Sequence, residues 1–261
     1  MAAIVAVSSR LNIRPDLSRK LSQLGGFDVA LVLDDSGSMS QAFPGATSRW
    51  AHLLESSMHA VDVCRAAAQP PRPIDAFFLN RAAVRGITDS AQLRPAFTER
   101  PHGFTPLTRV FKQALATGSA PDGSRARPLL VVIMTDGLPT DDDGEDEVEP
   151  FLAELRALPG DVHVQLVAFA EASGCLHYVQ DLKQELARLD VSDIFPLEKE
   201  RMLARHARVN GGSAADFAFS LGDYVARALL APIDPEVAAL DHSAEEDAAA
   251  TARAPAPAGA Q

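Results

Sequence analysis

The stretch FDVALVLDDSGSMS, residues 27–40, decides how the chain reads. Six apolar residues surround a lone Asp28 and run straight into Asp34, Asp35, Ser36, Gly37 and Ser38. A short apolar run of this kind predicts a buried strand. That strand empties into a turn carrying two carboxylates and two hydroxyls, with Gly37 between the hydroxyls. The glycine lets the backbone turn tightly enough for Ser36 and Ser38 to point to one place. Oxygen donors packed this densely suit a hard divalent cation, whose ligands lie near ~2.1 Å when it is Mg²⁺.

Working outward, Leu129 to Met134 is a second apolar run, as expected for a central parallel strand covered on both faces. It exits into Thr135-Asp136-Gly137. Between the two runs lies Gly103-Phe104-Thr105-Pro106-Leu107, where Pro106 fixes the start of the helix that follows. A helix capped by Thr47 or Ser48 carries Trp50, Leu53, Leu54, Met58, Val61 and Cys64 on one face, and Pro70, Pro71 and Pro73 end it. Strands at 74–79 and 82–87, separated by Asn80-Arg81, predict an antiparallel hairpin. Asp89 starts a short helix. Further helices are expected at 107–117 and 148–158, with a strand at 162–169.

Leu176, Val179, Leu182, Leu186 and Leu189 step at helical spacing. A short last strand is expected at 191–195. The final helix should open on the capping-box spacing Ser213-Ala-Ala-Asp216, with a stripe through Ala214, Phe217, Leu221, Tyr224, Val225 and Ala228. Alternating strands and helices predict a doubly wound α/β fold: a mostly parallel, six-stranded open sheet with one antiparallel edge strand and helices on both faces. In the strand order 3-2-1-4-5-6, Asp34 and Asp136 flank the crevice at the carboxyl ends of the strands where ligands bind.

Composition bounds the function. A net charge of −11 argues against a nucleic-acid partner, because neutralising phosphates needs a basic face. The two cysteines, Cys64 and Cys175, make no disulfide framework and read as free buried thiols. No stretch approaches the ~20 apolar residues of a membrane span. Residues 1–23 read as an arm or leader helix near the sheet edge. Their arginines and serines also have some of the composition of an organelle-targeting segment. Residues 24–231 form the domain. Residues 232–261, rich in Ala, Pro and acids, read as a disordered tail. Cytoplasmic location is the expectation.

Asp34-x-Ser36-x-Ser38, Thr105 before Pro106-Leu107, and Asp136 before Gly137, in that order, resemble the metal-ion-dependent adhesion site of von Willebrand factor A domains. Arg49-Trp50 and Phe78-Leu79-Asn80 further resemble the intracellular fungal and microbial members of that family. The resemblance implies that Ser36, Ser38 and Thr105 ligate Mg²⁺ or Mn²⁺ through hydroxyls, with Asp34 and Asp136 acting directly or through water. Thr108, one helical turn on, could take the place of Thr105. It also implies a partner protein that supplies an Asp or Glu to the metal. The alternative is a structural subunit with metal-independent contacts. Oligomeric state is left open.

Enzyme readings fit less well. A haloacid-dehalogenase-type phosphatase needs a carboxylate where Ser36 stands, and a response-regulator receiver needs a late lysine that Ala168-Phe169-Ala170-Glu171 lacks. A serine-hydrolase elbow needs glycine where Asp34 stands. Neither a Walker loop nor a dinucleotide fingerprint is present. His52, His59 and His102 read as surface or loop residues, so no enzymatic activity is expected. Asp141 to Glu149 holds seven acids in nine residues; Pro139 and Pro150 at the end positions exclude an EF-hand. The run reads as a solvated loop or as a rim favouring a Lys/Arg-rich partner surface.

Overall fold

Strand β4, Leu129–Thr135, is buried along all seven residues, which only a central position with both faces covered allows. The computed structural model describes residues 1–120, 122–170, 176–210 and 217–241. β4 lies between β1, Asp28–Leu33, and β5, Val162–Ala168, parallel to both. β2, Ile74–Phe78, runs parallel to β1, and β3, Val84–Ile87, pairs antiparallel with β2. β6, Leu189–Ser192, runs parallel to β5. The order β3-β2-β1-β4-β5-β6 is the expected doubly wound sheet with one antiparallel edge strand.

Two short helices precede the sheet, α1 at Ala2–Arg10 and α2 at Pro15–Lys20. α3, Arg49–Ala67, follows β1, and α4, Leu107–Leu115, follows β3. α5, Val148–Arg156, and α6, Gln180–Glu185, flank β5 in the chain. α7, Phe195–Asn210, α8, Leu221–Leu230, and a single turn α9, Pro235–Ala238, complete it. α3 packs against α8 and α4 packs against α5, as expected for helices that cover the two faces of such a sheet. Ring contacts Phe111–Phe151 and Phe151–Tyr178, at 5.5 and 6.3 Å, join α4 to α5 and α5 to the turn before α6. Cys64 lies in α3, free and buried, and burial pushes its thiol up to about 12. Cys175 lies outside the described residues.

Several local readings are corrected. The N-terminal arm packs on α3 and α8 rather than at a sheet edge. The reason is a close approach: a Cβ on Gly222 would sit 2.1 Å from the Leu11 carbonyl oxygen. The Arg14 N–H and the Ser220 hydroxyl complete the junction, donating to Asp223 and to the Asn12 carbonyl. That docking puts the cap of α8 on Ser220, in a capping box with Asp223. The expected cap at Ser213 lies outside the described residues.

The helix expected through Leu189 breaks up. It is a 3-10 turn at His177–Val179, then α6, and Leu189 opens β6 instead. Phe195, expected to end the last strand, starts α7. Asn80 and Arg81 do not form a two-residue turn, because β3 begins only at Val84. Both reach across to Asp35 instead, which widens the connection. Past Pro232 the chain still packs: Asp234 caps α9 and Val237 is buried, while 242–261 lie outside the described residues.

Candidate metal centre

Register brings the candidate residues together. Leu33 of β1 pairs with Met134 of β4, so Asp34 emerges beside Thr135 and one residue short of Asp136. The Asp34 N–H donates to the Met134 carbonyl at 3.0 Å, and the Thr135 hydroxyl donates to Asp34 Oδ2 at 2.5 Å. Asp34 Oδ1 accepts the Ser36 N–H at 2.8 Å. This contact folds the turn back, and the Ser36 and Ser38 hydroxyl oxygens come to 3.1 Å of each other. Ser38 donates to Asp136 Oδ1 at 2.7 Å. Ser36, Ser38, Asp34 and Asp136 thus form one cluster on the crest of the two central strands.

A second loop closes the cluster. The Gly37 N–H donates to the Gly103 carbonyl at 3.1 Å, and the His102 N–H to the Asp35 carbonyl at 2.7 Å. Gly103 has φ +83°, and a Cβ there would strike the Asn80 side chain at 2.4 Å, so only glycine fits. Thr105 is tied to the third loop: its N–H donates to the Thr140 hydroxyl, and its carbonyl accepts the Thr140 N–H. A Cβ on Gly137 would stand 3.4 Å from the Thr105 hydroxyl oxygen, so that hydroxyl faces the Asp136–Gly137 turn. Thr108 is buried on α4, and its hydroxyl has no partner among the described residues.

Arginines neutralise two of the three carboxylates. Arg81 pairs with Asp35 at 2.5 Å and lies over the Trp50 ring, 5.0 Å from its centroid. Arg49 pairs with Asp136 at 2.6 Å. Among the described residues no cation pairs with Asp34. Burial, and then the charge of Asp136, raise the Asp34 carboxyl to about 6. Among the described residues no cluster of three or more His, Cys, Asp or Glu side chains could hold an ion. A metal here would therefore draw on hydroxyls, and the donor set fits one: hard oxygens only, grouped around two like charges.

Arg49, Asp35, Arg81, Thr135 and Thr140 are the contributors that sequence reasoning did not assign. Arg49 stood out in sequence only beside Trp50, and nothing local showed that it reaches Asp136 from 87 residues away. His52 is corrected. It is buried in α3 and stacked on Phe43 at 4.2 Å, with Phe169 and Phe195 around it. Burial, and then His59, lower its pKa to about 4.

Two of the exposed large apolar side chains, Phe104 and Leu138, stand beside the cluster. Phe104 precedes Thr105, and its ring lies against the backbone of Gly144 in the acidic loop. Leu138 follows the Asp136 turn. Asp141 shapes that loop by accepting the N–H groups of Asp143 and Glu145. The rim therefore combines two apolar side chains with a row of exposed acids.

No protein-family model matches the chain, and no curated protein matches it. Among solved structures it is similar to the manganese-loaded TRAP protein of Plasmodium vivax, at 17% identity and a TM-score of 0.43, over 65% of this chain and 69% of that one. It is similar to proximal thread matrix protein 1 of the mussel byssus at 13% identity and a TM-score of 0.43, over 65% and 44% of the two chains. It is also similar to the ArnB paralog VWA2 of Sulfolobus acidocaldarius, at 17% identity and a TM-score of 0.36, over 55% of this chain and 35% of that protein's length.

Proposed function

We propose that the chain is a non-enzymatic protein-binding module. It engages an Asp or Glu of a partner protein through Mg²⁺ or Mn²⁺ held by Ser36, Ser38 and Thr105, with Asp34 and Asp136 directly or through water. The carrying observation is the packing of the Ser36 and Ser38 hydroxyls and Asp136 against a buried Asp34 that has no paired cation among the described residues. When bound, the ion supplies positive charge that an external carboxylate can satisfy. Asp34 anchors the turn, Ser38 ties it to Asp136, and the Thr105 loop closes the cluster from the side. Phe104 and Leu138 offer apolar contact next to it, and the acidic loop favours basic groups flanking the partner's carboxylate.

Chelator-stripped protein titrated calorimetrically with Mg²⁺ or Mn²⁺ should show one site, lost in Ser36→Ala and Asp34→Ala. A pull-down should then recover a partner that chelator releases. Equal metal binding by wild type and both variants would refute the reading. A partner retained in chelator would favour a structural subunit with metal-independent contacts.

A further inference from the structure

Arg49 stands at the first position of α3, where the Ser48 hydroxyl caps the helix by accepting the Ala51 N–H. Its own N–H donates to the Gln41 carbonyl at 2.9 Å, which fixes the backbone beside the Asp34–Ser40 turn. Its neighbour Trp50 is buried and stacked on Phe97 at 4.0 Å. The side chain is thus delivered to Asp136 from an anchored helix end. Both carboxylate oxygens of Asp136 already accept a hydrogen bond, Oδ1 from Ser38 and Oδ2 from Arg49, and its side chain is 0% exposed.

We propose that Arg49 is a resident counter-charge that lowers the centre's affinity for its divalent ion and raises that ion's demand for a partner carboxylate. The inference rests on the metal-binding reading above. Asp34 and Asp136 offer two negative charges when ionised, and Arg49 returns one positive. A guanidinium does not deprotonate in a protein, so this offset persists at every working pH. The two carboxylates and Arg49 together leave one net negative charge to face a divalent ion, so part of the ion's charge stays uncompensated. Coulomb's law then gives looser metal binding and a stronger pull on an external carboxylate, and the Arg49–Asp136 pair is buried enough to escape full screening. Metal occupancy and partner binding become mutually dependent, because each supplies charge the other lacks.

The test uses the full chain, Mn²⁺ as the metal and acetate as the carboxylate probe. Arg49→Gln keeps a donor for Asp136 and removes the charge; Arg49→Lys keeps the charge. Mn²⁺ dissociation constants come from electron paramagnetic resonance, with and without acetate, and folding is checked by cooperative melting. Arg49→Gln should bind Mn²⁺ at least tenfold more tightly than wild type, and acetate should tighten Mn²⁺ binding by a smaller factor than in wild type. Arg49→Lys should stay within about threefold of wild type in both measurements. If Arg49→Gln does not fold, the lysine variant still decides, since tightening in Arg49→Lys would overturn a role set by charge. Unchanged or weaker Mn²⁺ binding in folded Arg49→Gln would also overturn it. Wild type that binds no Mn²⁺ would instead remove the metal-binding reading itself.

Discussion

Two buried polar clusters in this molecule both gather carboxylates and arginines, and they differ in how the charges are met. At the junction of β6, α7 and α8, Arg227 donates to Glu198 at 2.9 Å, and both side chains are essentially inaccessible. Glu198 also accepts the Asp193 N–H, Arg201 pairs with Asp193, and the Tyr224 hydroxyl donates to the Asp193 carbonyl. That cluster is closed in charge, since each of its two carboxylates lies beside an arginine. At the crest of β1 and β4, Asp34 receives only neutral donors and its carboxyl is raised, first by burial and then by Asp136. Closed ion pairs hold parts of a fold together; a buried carboxylate without a matching cation is suited to receive one.

The contrast breaks most directly on paired substitutions. Arg227→Leu removes the 2.9 Å partner of the buried Glu198 carboxylate and leaves the longer 3.4 Å contact to Arg201, and losing one member of a buried pair costs about 3–5 kcal/mol. Asp136→Asn instead relieves the repulsion on Asp34, and Arg49, part-exposed, can turn to water. Urea unfolding without metal should therefore show a large loss for Arg227→Leu and equal or higher stability for Asp136→Asn. A comparable loss in both would mean that Asp136 is mainly structural and that the two clusters do not differ in kind.

The sequence disclosed the crest far better than the closed cluster, for a physical reason. β1 and β4 are covered on both faces, so their apolar runs stop abruptly at Asp34 and at Thr135-Asp136, and polar residues at those stops are conspicuous. β6 reads Leu-Asp-Val-Ser with Asp190 and Ser192 buried, so its polarity concealed it. Helical spacing then absorbed Leu189 into the preceding helix. Ser-x-x-Asp occurs at 213–216 and again at 220–223; the docking of Gly222 on Leu11 and of Asp223 on Arg14 distinguishes the second, and local spacing carries no trace of that. α7 was missed because its charged residues dilute its apolar stripe. The pairing of Arg49 with Asp136 is a product of the finished fold.

His52 extends the comparison to a buried group that should carry no charge at all. Its pKa is lowered to about 4, against an ordinary 6.5, by burial and then by His59. The unfolded chain therefore takes up the proton first as pH falls, and stability is lost between about pH 6.5 and 4. The expected loss is ~3 kcal/mol at one pKa unit per 1.36 kcal/mol. Asp34 acts with the opposite sign: with its carboxyl raised to about 6, the folded state takes the proton first and gains stability as pH drops toward 3.8. Unfolding of wild type and His52→Phe across this range separates the two. The phenylalanine variant should gain on wild type as pH falls, and parallel curves would show that His52 titrates normally.

The smallest effect expected concerns the acidic loop at the rim, where the same distinction between internal and outward charge applies. Asp141 accepts the N–H groups of Asp143 and Glu145, Asp146 accepts that of Val148 at the start of α5, and Asp142 pairs with Arg109. Those three acids shape the loop, so neutralising them would confound charge with structure. Asp143, Glu145 and Glu147 make no such side-chain contact among the described residues, and their charge is directed at solvent. If they steer a Lys/Arg-flanked carboxylate toward the metal, Asp143→Asn, Glu145→Gln and Glu147→Gln combined should slow association with the captured partner by roughly tenfold at low salt. The salt dependence should flatten, because steering charges act within a Debye length of about 8 Å at physiological ionic strength. Mn²⁺ affinity should stay close to wild type. An on-rate and salt slope unchanged in the triple variant would make the loop a solvated connection into α5, leaving Phe104, Leu138 and the metal to account for recognition.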